Sequence, residues 1–299
     1  MDSVAKANWI LADTTMRQEV RTKRAMELID KSITHPDAIN SSYAWYTRGL
    51  IYKEWYKTFE KQNKKSKTRL DAVEFLKKAL SLDKSQGRPI AIENKIEYNG
   101  NIYLVTDVYN AANIKTALKY IGSRFQNDAV YMLDTINYQA AIQNYEKFKE
   151  CMLIADPKYN FRSTEMEFKT ALADQYGNLF LNNIKTNKQF LKEAESTYKA
   201  VITLDTNYFN AIHGLALLYY NYGVDIINSM PLDVPIMEVD KIQDEARTNF
   251  RKALPYALKA YALKPKKKEV LIALQGIYFS LYEFEKSDVF KARLDKLPK

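Results

Sequence analysis

Along most of this chain apolar residues recur at spacings of three and four, the period of helices that bury one face. The stretch 41–83 shows it best. Trp45, Gly49 and Tyr52 fall on one face of a first helix, and Ala72, Leu76, Ala79 and Leu80 on one face of a second. Lys77 and Lys78 lie on the opposite, solvated face. Ser41 or Ser42 suits an N-cap, because a hydroxyl there accepts from free amides of the first turn. Gly49 removes a side chain where a neighbouring helix would cross. Similar pairs follow. Residues 3–33 read as helices from Val4 to Ala12 and from Thr15 to Ile33, ended by His35-Pro36. Ala141, Tyr145 and Phe148 mark 138–156, and further pairs cover 163–204, 208–263 and 268–296.

Two stretches break the pattern. IEYNGNIYLV places Asn99-Gly100 between alternating apolar residues, a β-hairpin signature. Ile92, Ile96, Tyr103, Val108 and Tyr109 also fit an interrupted helix, and helix from Asn101 onward is the preferred reading, with a small hairpin near 94–105 as the alternative. The segment SMPLDVPIMEVD, 229–240, holds Pro231 and Pro235 among Met230, Leu232, Val234, Ile236, Met237 and Val239. It reads as an apolar loop folded back onto the helices, with Ile236 and Met237 buried, and the alternative is a loop that meets a partner. Pro255 is expected near the start of its helix or at a kink.

Composition agrees with long helices: the 299 residues include only 8 Gly and 8 Pro. The net charge of +9 leaves room for an acidic partner. Its basic runs are 17–24, 61–69 and 264–269, and no aromatic residues interleave them as stacking platforms would. They read as solvated helix ends. Cys151 is the single cysteine, which excludes an internal disulfide, and its apolar helical setting reads as core. No stretch approaches the roughly 20 apolar residues of a membrane helix. MDSVAKANWILADTT lacks a basic region followed by an apolar core, so it is not read as a signal peptide. A cytoplasmic protein is expected from the chain as written, a periplasmic one if this is a mature form.

Trp45, Gly49, Tyr52, Ala72, Leu76 and Ala79 resemble the tetratricopeptide repeat. Arg48 stands where that motif has Leu, and Lys84 where it has Pro. The interval from Tyr52 to Ala72 is about twice the family's. Leu172, Ala173 and Tyr176 repeat the first-helix pattern, as do Ile212, Leu215, Ala216 and Tyr219. Ala253, Ala257, Ala260 and Pro265 repeat the second. Phrases such as EFLKKALSLD look most like tetratricopeptide proteins of Bacteroidetes, many of them exported. The resemblance implies an all-α fold, an α-solenoid of about six helical hairpins in a single array over 1–299. Residues 1–40 would form a degenerate cap, 41–83, 90–157, 163–205 and 208–265 repeats with insertions, and 268–299 a C-terminal cap.

The resemblance also implies where a partner would sit. The first helix of each hairpin lines a concave face, through motif positions two, five, nine and twelve. Here these are Tyr43, Tyr46, Leu50 and Lys53, and then Asn210, His213, Leu217 and Tyr220. Some family members clamp chaperone C-termini there with lysines, asparagines and an arginine. Tyr46 and Leu50 stand at two of those positions, as do His213 and Leu217, so that ligand is not expected. His213 itself, beside Gly214 on a predicted buried edge, reads as a hydrogen-bonded structural histidine rather than a ligand contact.

There is no GxGxxG, Walker-type loop, GxSxG or HExxH. With His35 and His213 far apart, no nucleophilic triad is apparent, and neither an enzyme nor a cofactor is expected. The expected function is a protein-interaction scaffold for an unidentified peptide or protein. An electrostatic binder of nucleic acid or anionic membrane is the alternative.

Overall fold

The computed structural model describes residues 1–133, 137–231, 233 and 235–297. They form the expected all-α solenoid type of fold, six helical hairpins in sequence, with one two-stranded insertion. Packing divides the chain into two compact units, Met1–Met132 with Gln139–Tyr159, and Leu133–Tyr138 with Asn160–Lys299.

In the first unit α1 (Asp2–Ala12) pairs with α2 (Gln18–Ser32). After a short turn, α3 (Pro36–Ile39), α4 (Ser42–Trp55) pairs with α5 (Lys67–Ser81). The Ser41 hydroxyl caps α4 by accepting from the Ala44 amide at 3.3 Å. Gly49 does what its spacing suggests: a Cβ there would lie 2.7 Å from Leu76 Cδ2 of α5. The long interval after Tyr52 is absorbed by extending α4 through a π-helical turn, Tyr56–Glu60, before a short basic loop.

Arg48 explains its own departure from the motif. Its guanidinium lies 3.8 Å from the Phe75 ring centroid, and its Nε donates to Asp30 of α2 at 2.9 Å. The Tyr52 hydroxyl donates to the other Asp30 oxygen at 2.7 Å. A leucine could not link three helices in this way. Arg69 corrects the reading of its run as solvated. It is 1% exposed, ion-paired with Asp128, and stacked 4.0 Å from the Phe125 centroid.

The preferred helix from Asn101 is not what forms. Residues 90–109 are a β-hairpin of β1 (Ile90–Tyr98) and β2 (Asn101–Tyr109), joined by a two-residue loop that pairs Tyr98 with Asn101. Asn99 and Gly100 both take positive φ, 51° and 78°. That is the turn an Asn-Gly pair favours, because its twist matches that of the strands. The local turn chemistry outweighs the helical neighbours. Helix resumes with α6 (Ala111–Leu133) and α7 (Tyr138–Ala155). Cys151 of α7 is fully buried near Gly122 of α6, and burial pushes its thiol pKa up to about 12.

The second unit holds three hairpins: α8 (Arg162–Asn182) with α9 (Lys188–Leu204), α10 (Phe209–Asn228) with α11 (Ile236–Leu263), and α12 (Lys268–Ser280) with α13 (Phe284–Asp295). The expectation of a buried, folded-back loop fails here. Ile236 and Met237 open α11 and are 82% and 78% exposed, so they are not buried in a folded-back loop. Pro235 just ahead of the helix is compatible with that start, since the first amides of a helix have no intrahelical acceptor. Leu232 and Val234 lie outside the described residues. Pro255 lies well inside α11 rather than near its start. The extra residues between Tyr219 and Ala253 lengthen two helices more than they make a loop.

Candidate functional site

A helix that presents residues i, i+3, i+4 and i+7 on one side makes a continuous stripe. Two such stripes face each other in the second unit. Glu167, Thr170, Ala171 and Asp174 come from α8, and Asn210, His213, Gly214 and Leu217 from α10. With Tyr208 they line a concavity of about 420 Å³. Three of the residues named from the motif, Asn210, His213 and Leu217, therefore share one groove.

The floor of this groove depends on Tyr198 of α9, which is 2% exposed. Its ring passes beside Gly214, where a Cβ would lie 2.6 Å from Tyr198 Cε1. The hydroxyl reaches through that gap and donates to Asp174 Oδ1. One tyrosine thus ties α9 to the stripes of both α8 and α10. The burial that surrounds Asp174 raises its pKa above the usual carboxylate value, while the donated hydrogen bond opposes the shift. Burial and the neighbouring carboxylate push the Tyr198 phenol upward.

His213 stacks on Phe209 with centroids 5.4 Å apart and planes 10° apart. Its Nε2 is buried and makes no hydrogen bond among the described residues. Burial lowers its pKa, the Glu269 carboxylate and backbone oppose the shift, and Lys267 adds to it. The imidazole is thus biased toward its neutral form. Glu167 is exposed and accepts from the Ser163 hydroxyl at 3.0 Å. Tyr220, the fourth residue named on α10, is placed elsewhere. It packs on Phe250 at 5.8 Å and close against Gly276 of α12.

The corresponding face of the first unit is closed. Tyr43 is 4% exposed, and its hydroxyl donates to Asp107 Oδ2 on β2. Asn8 of α1 donates to the other oxygen of Asp107 at 2.6 Å. Tyr46 meets the ring of Tyr109 edge-on at 5.5 Å, and its hydroxyl accepts from Asn113 at 3.3 Å. Trp9 of α1 packs 5.3 Å from Tyr103, and the Tyr98 hydroxyl donates to Asp13 at 2.7 Å. Burial, reinforced by Asp107, raises the Tyr43 phenol pKa. The chain's own hairpin therefore occupies the place proposed for a ligand at Tyr43 and Tyr46. Leu50 is half-buried, and Lys53 pairs with its neighbour Glu54 at 2.7 Å.

Glu167, Thr170 and Asp174 were findable. Leu172, Ala173 and Tyr176 set the motif register on α8, and that register puts these three at the groove positions. The Tyr198 link could not be read in advance, because it joins residues on three helices. Among the described residues no group of three or more His, Cys, Asp or Glu side chains is placed to hold a metal, and no helix is long and apolar enough to cross a membrane.

No protein-family model matches the chain, and no curated protein matches it. Among solved structures it is similar to a monomeric mutant of IFIT1 with Gppp-AAAA, at a TM-score of 0.37 and 13% identity over 93% of this chain and 47% of that one. A second IFIT1 monomeric mutant, with m7Gppp-AAAA, gives a TM-score of 0.37 and 13% identity over 99% and 50%. The chain spans about half the length of these structures.

Proposed function

We propose that this chain is a non-enzymatic binding module that takes an extended peptide or protein segment along the paired stripes of α8 and α10. The observation that carries this reading is the open groove itself. It brings Asn210, His213 and Leu217 together with Glu167, Thr170 and Asp174, and its volume is about 420 Å³. It holds several hydrogen-bonding groups beside two apolar side chains, Ala171 and Leu217, a composition suited to fixing the orientation of a bound chain. The first unit supplies a physical precedent, since its equivalent face is filled by extended chain. No catalytic residue is assigned.

Selection from a random-peptide library tests the proposal. Leu217 lines the groove without being fully buried, so Leu217→Arg should fill the site while leaving the fold intact. Enriched peptides should lose binding to Leu217→Arg and keep it to Leu50→Arg in the first unit. Failure to enrich any peptide, or binding indifferent to Leu217→Arg, would sink the reading.

A further inference from the structure

The charge in the groove is unbalanced, and the imbalance says what should enter. Glu167 and Asp174 are its two carboxylates, and no lysine or arginine lines it. Neither carboxylate has an ion-pair partner within 4.0 Å among the described residues, although the chain carries 45 Lys and Arg against 36 Asp and Glu. Two acids on α8 and α9 are paired, Glu165 with Lys169 at 2.6 Å and Glu195 with Lys199 at 3.3 Å. Across the groove stand Asn210, His213 and Tyr208, whose side chains bring no formal charge while the imidazole is neutral.

In the first unit the bound strand brings the carboxylate, Asp107, and the helices bring the donors, Tyr43 and Asn8. In the second unit the helices bring the carboxylates, so the complementary partner brings the donors. We infer that the segment taken by this groove presents basic side chains, lysine or arginine, to Glu167 and Asp174. The inference rests on the proposed peptide-binding role. Seven helical residues separate the two acids by about 10 Å along α8. A segment in polyproline II conformation covers about the same distance in three residues and returns its side chain to the same face. Two basic side chains three residues apart would therefore meet one carboxylate each.

The test uses a capped peptide with two lysines three residues apart, and its counterpart with norleucine at both positions. Binding to the full chain is measured by calorimetry at low and moderate salt. The lysine peptide should bind at least about tenfold more tightly than the norleucine peptide and weaken as salt rises. Glu167→Gln and Asp174→Asn should each cost about threefold, as exposed ion pairs do. Asp174→Asn keeps an acceptor for Tyr198, and Glu167→Gln lies at an exposed position, so both should fold. Equal affinity for the two peptides, or lysine binding that survives the double variant, overturns the inference. So does failure of the lysine peptide to bind when library peptides still bind in a Leu217-dependent way; the groove reading then stands alone. If no peptide of either kind binds in that way, both fall.

Discussion

Tyr43 and Tyr46 on α4 hold the same motif positions as Asn210 and His213 on α10, yet only the second pair faces open space. On α4 the tyrosines meet β2, and their hydroxyls are hydrogen-bonded within the chain. On α10 Asn210 and His213 line the groove, and the two acids across it have no ion-pair partner among the described residues. A face covered by the chain itself is structural, and an open groove whose carboxylates lack ion-pair partners is a candidate for binding. Motif position gives the direction of a side chain; what covers that side chain decides its role.

The largest expected effect tests this contrast at its two carboxylates. Asp107→Ala leaves the buried Tyr43 hydroxyl without its acceptor and should lower stability by about 2–3 kcal/mol. Asp174→Asn keeps the Tyr198 acceptor and should change stability by less than about 0.5 kcal/mol. Thermal or urea unfolding of both variants checks it. Equal losses would mean that Asp174 is as structural as Asp107.

A smaller loss is expected where the open groove depends on its floor. Gly214→Ala puts a methyl group against the Tyr198 ring and should cost about 1–3 kcal/mol by overpacking. A variant as stable as the parent would show that Tyr198 can leave its place, and that the floor is not fixed as described.

The smallest effect concerns pH. Burial depresses the folded-state pKa of His213 below its ordinary 6.5. A depressed histidine contributes stability that is complete above the unfolded pKa and is lost as pH falls through the folded one. Stability should therefore decline below about pH 6.5, and His213→Gln should flatten that decline. Denaturant melts from pH 7 to pH 5 decide it; parallel profiles for parent and variant would remove His213 as the cause.

Much of the helical fold was legible. The apolar periodicity, the Ser41 cap and the Gly49 crossing are local signals, and each corresponds to an observed contact. The failures have physical causes. At Asn99-Gly100 the turn preference decided between two periodicities that the same residues satisfy. At Ile236 and Met237 apolar composition points to burial, but the first turn of a helix can leave large side chains in water. Arg69 looked like one cation in a solvated run, and its partner Asp128 is too distant in sequence to be anticipated. For the groove, the stripes of α8 and α10 follow from the motif register. The hairpin that closes the α4 face does not, because its docking depends on tertiary contacts to α1.

The clasp on Asp107 also bears on the order in which the chain folds. Its two hydrogen bonds join residues separated by 64 and 99 positions, whereas the α4–α5 crossing of Gly49 with Leu76 closes a shorter loop. Contacts that close long loops bear a larger entropic cost and tend to form late. During synthesis α1, α2, α4 and α5 emerge before β2 exists. For that interval the tyrosines of α4 face water on a partly built unit, and the hairpin then covers them. The face at Tyr43 and Tyr46 would thus be open only until the hairpin docks, while the groove between α8 and α10 is open with every described residue in place.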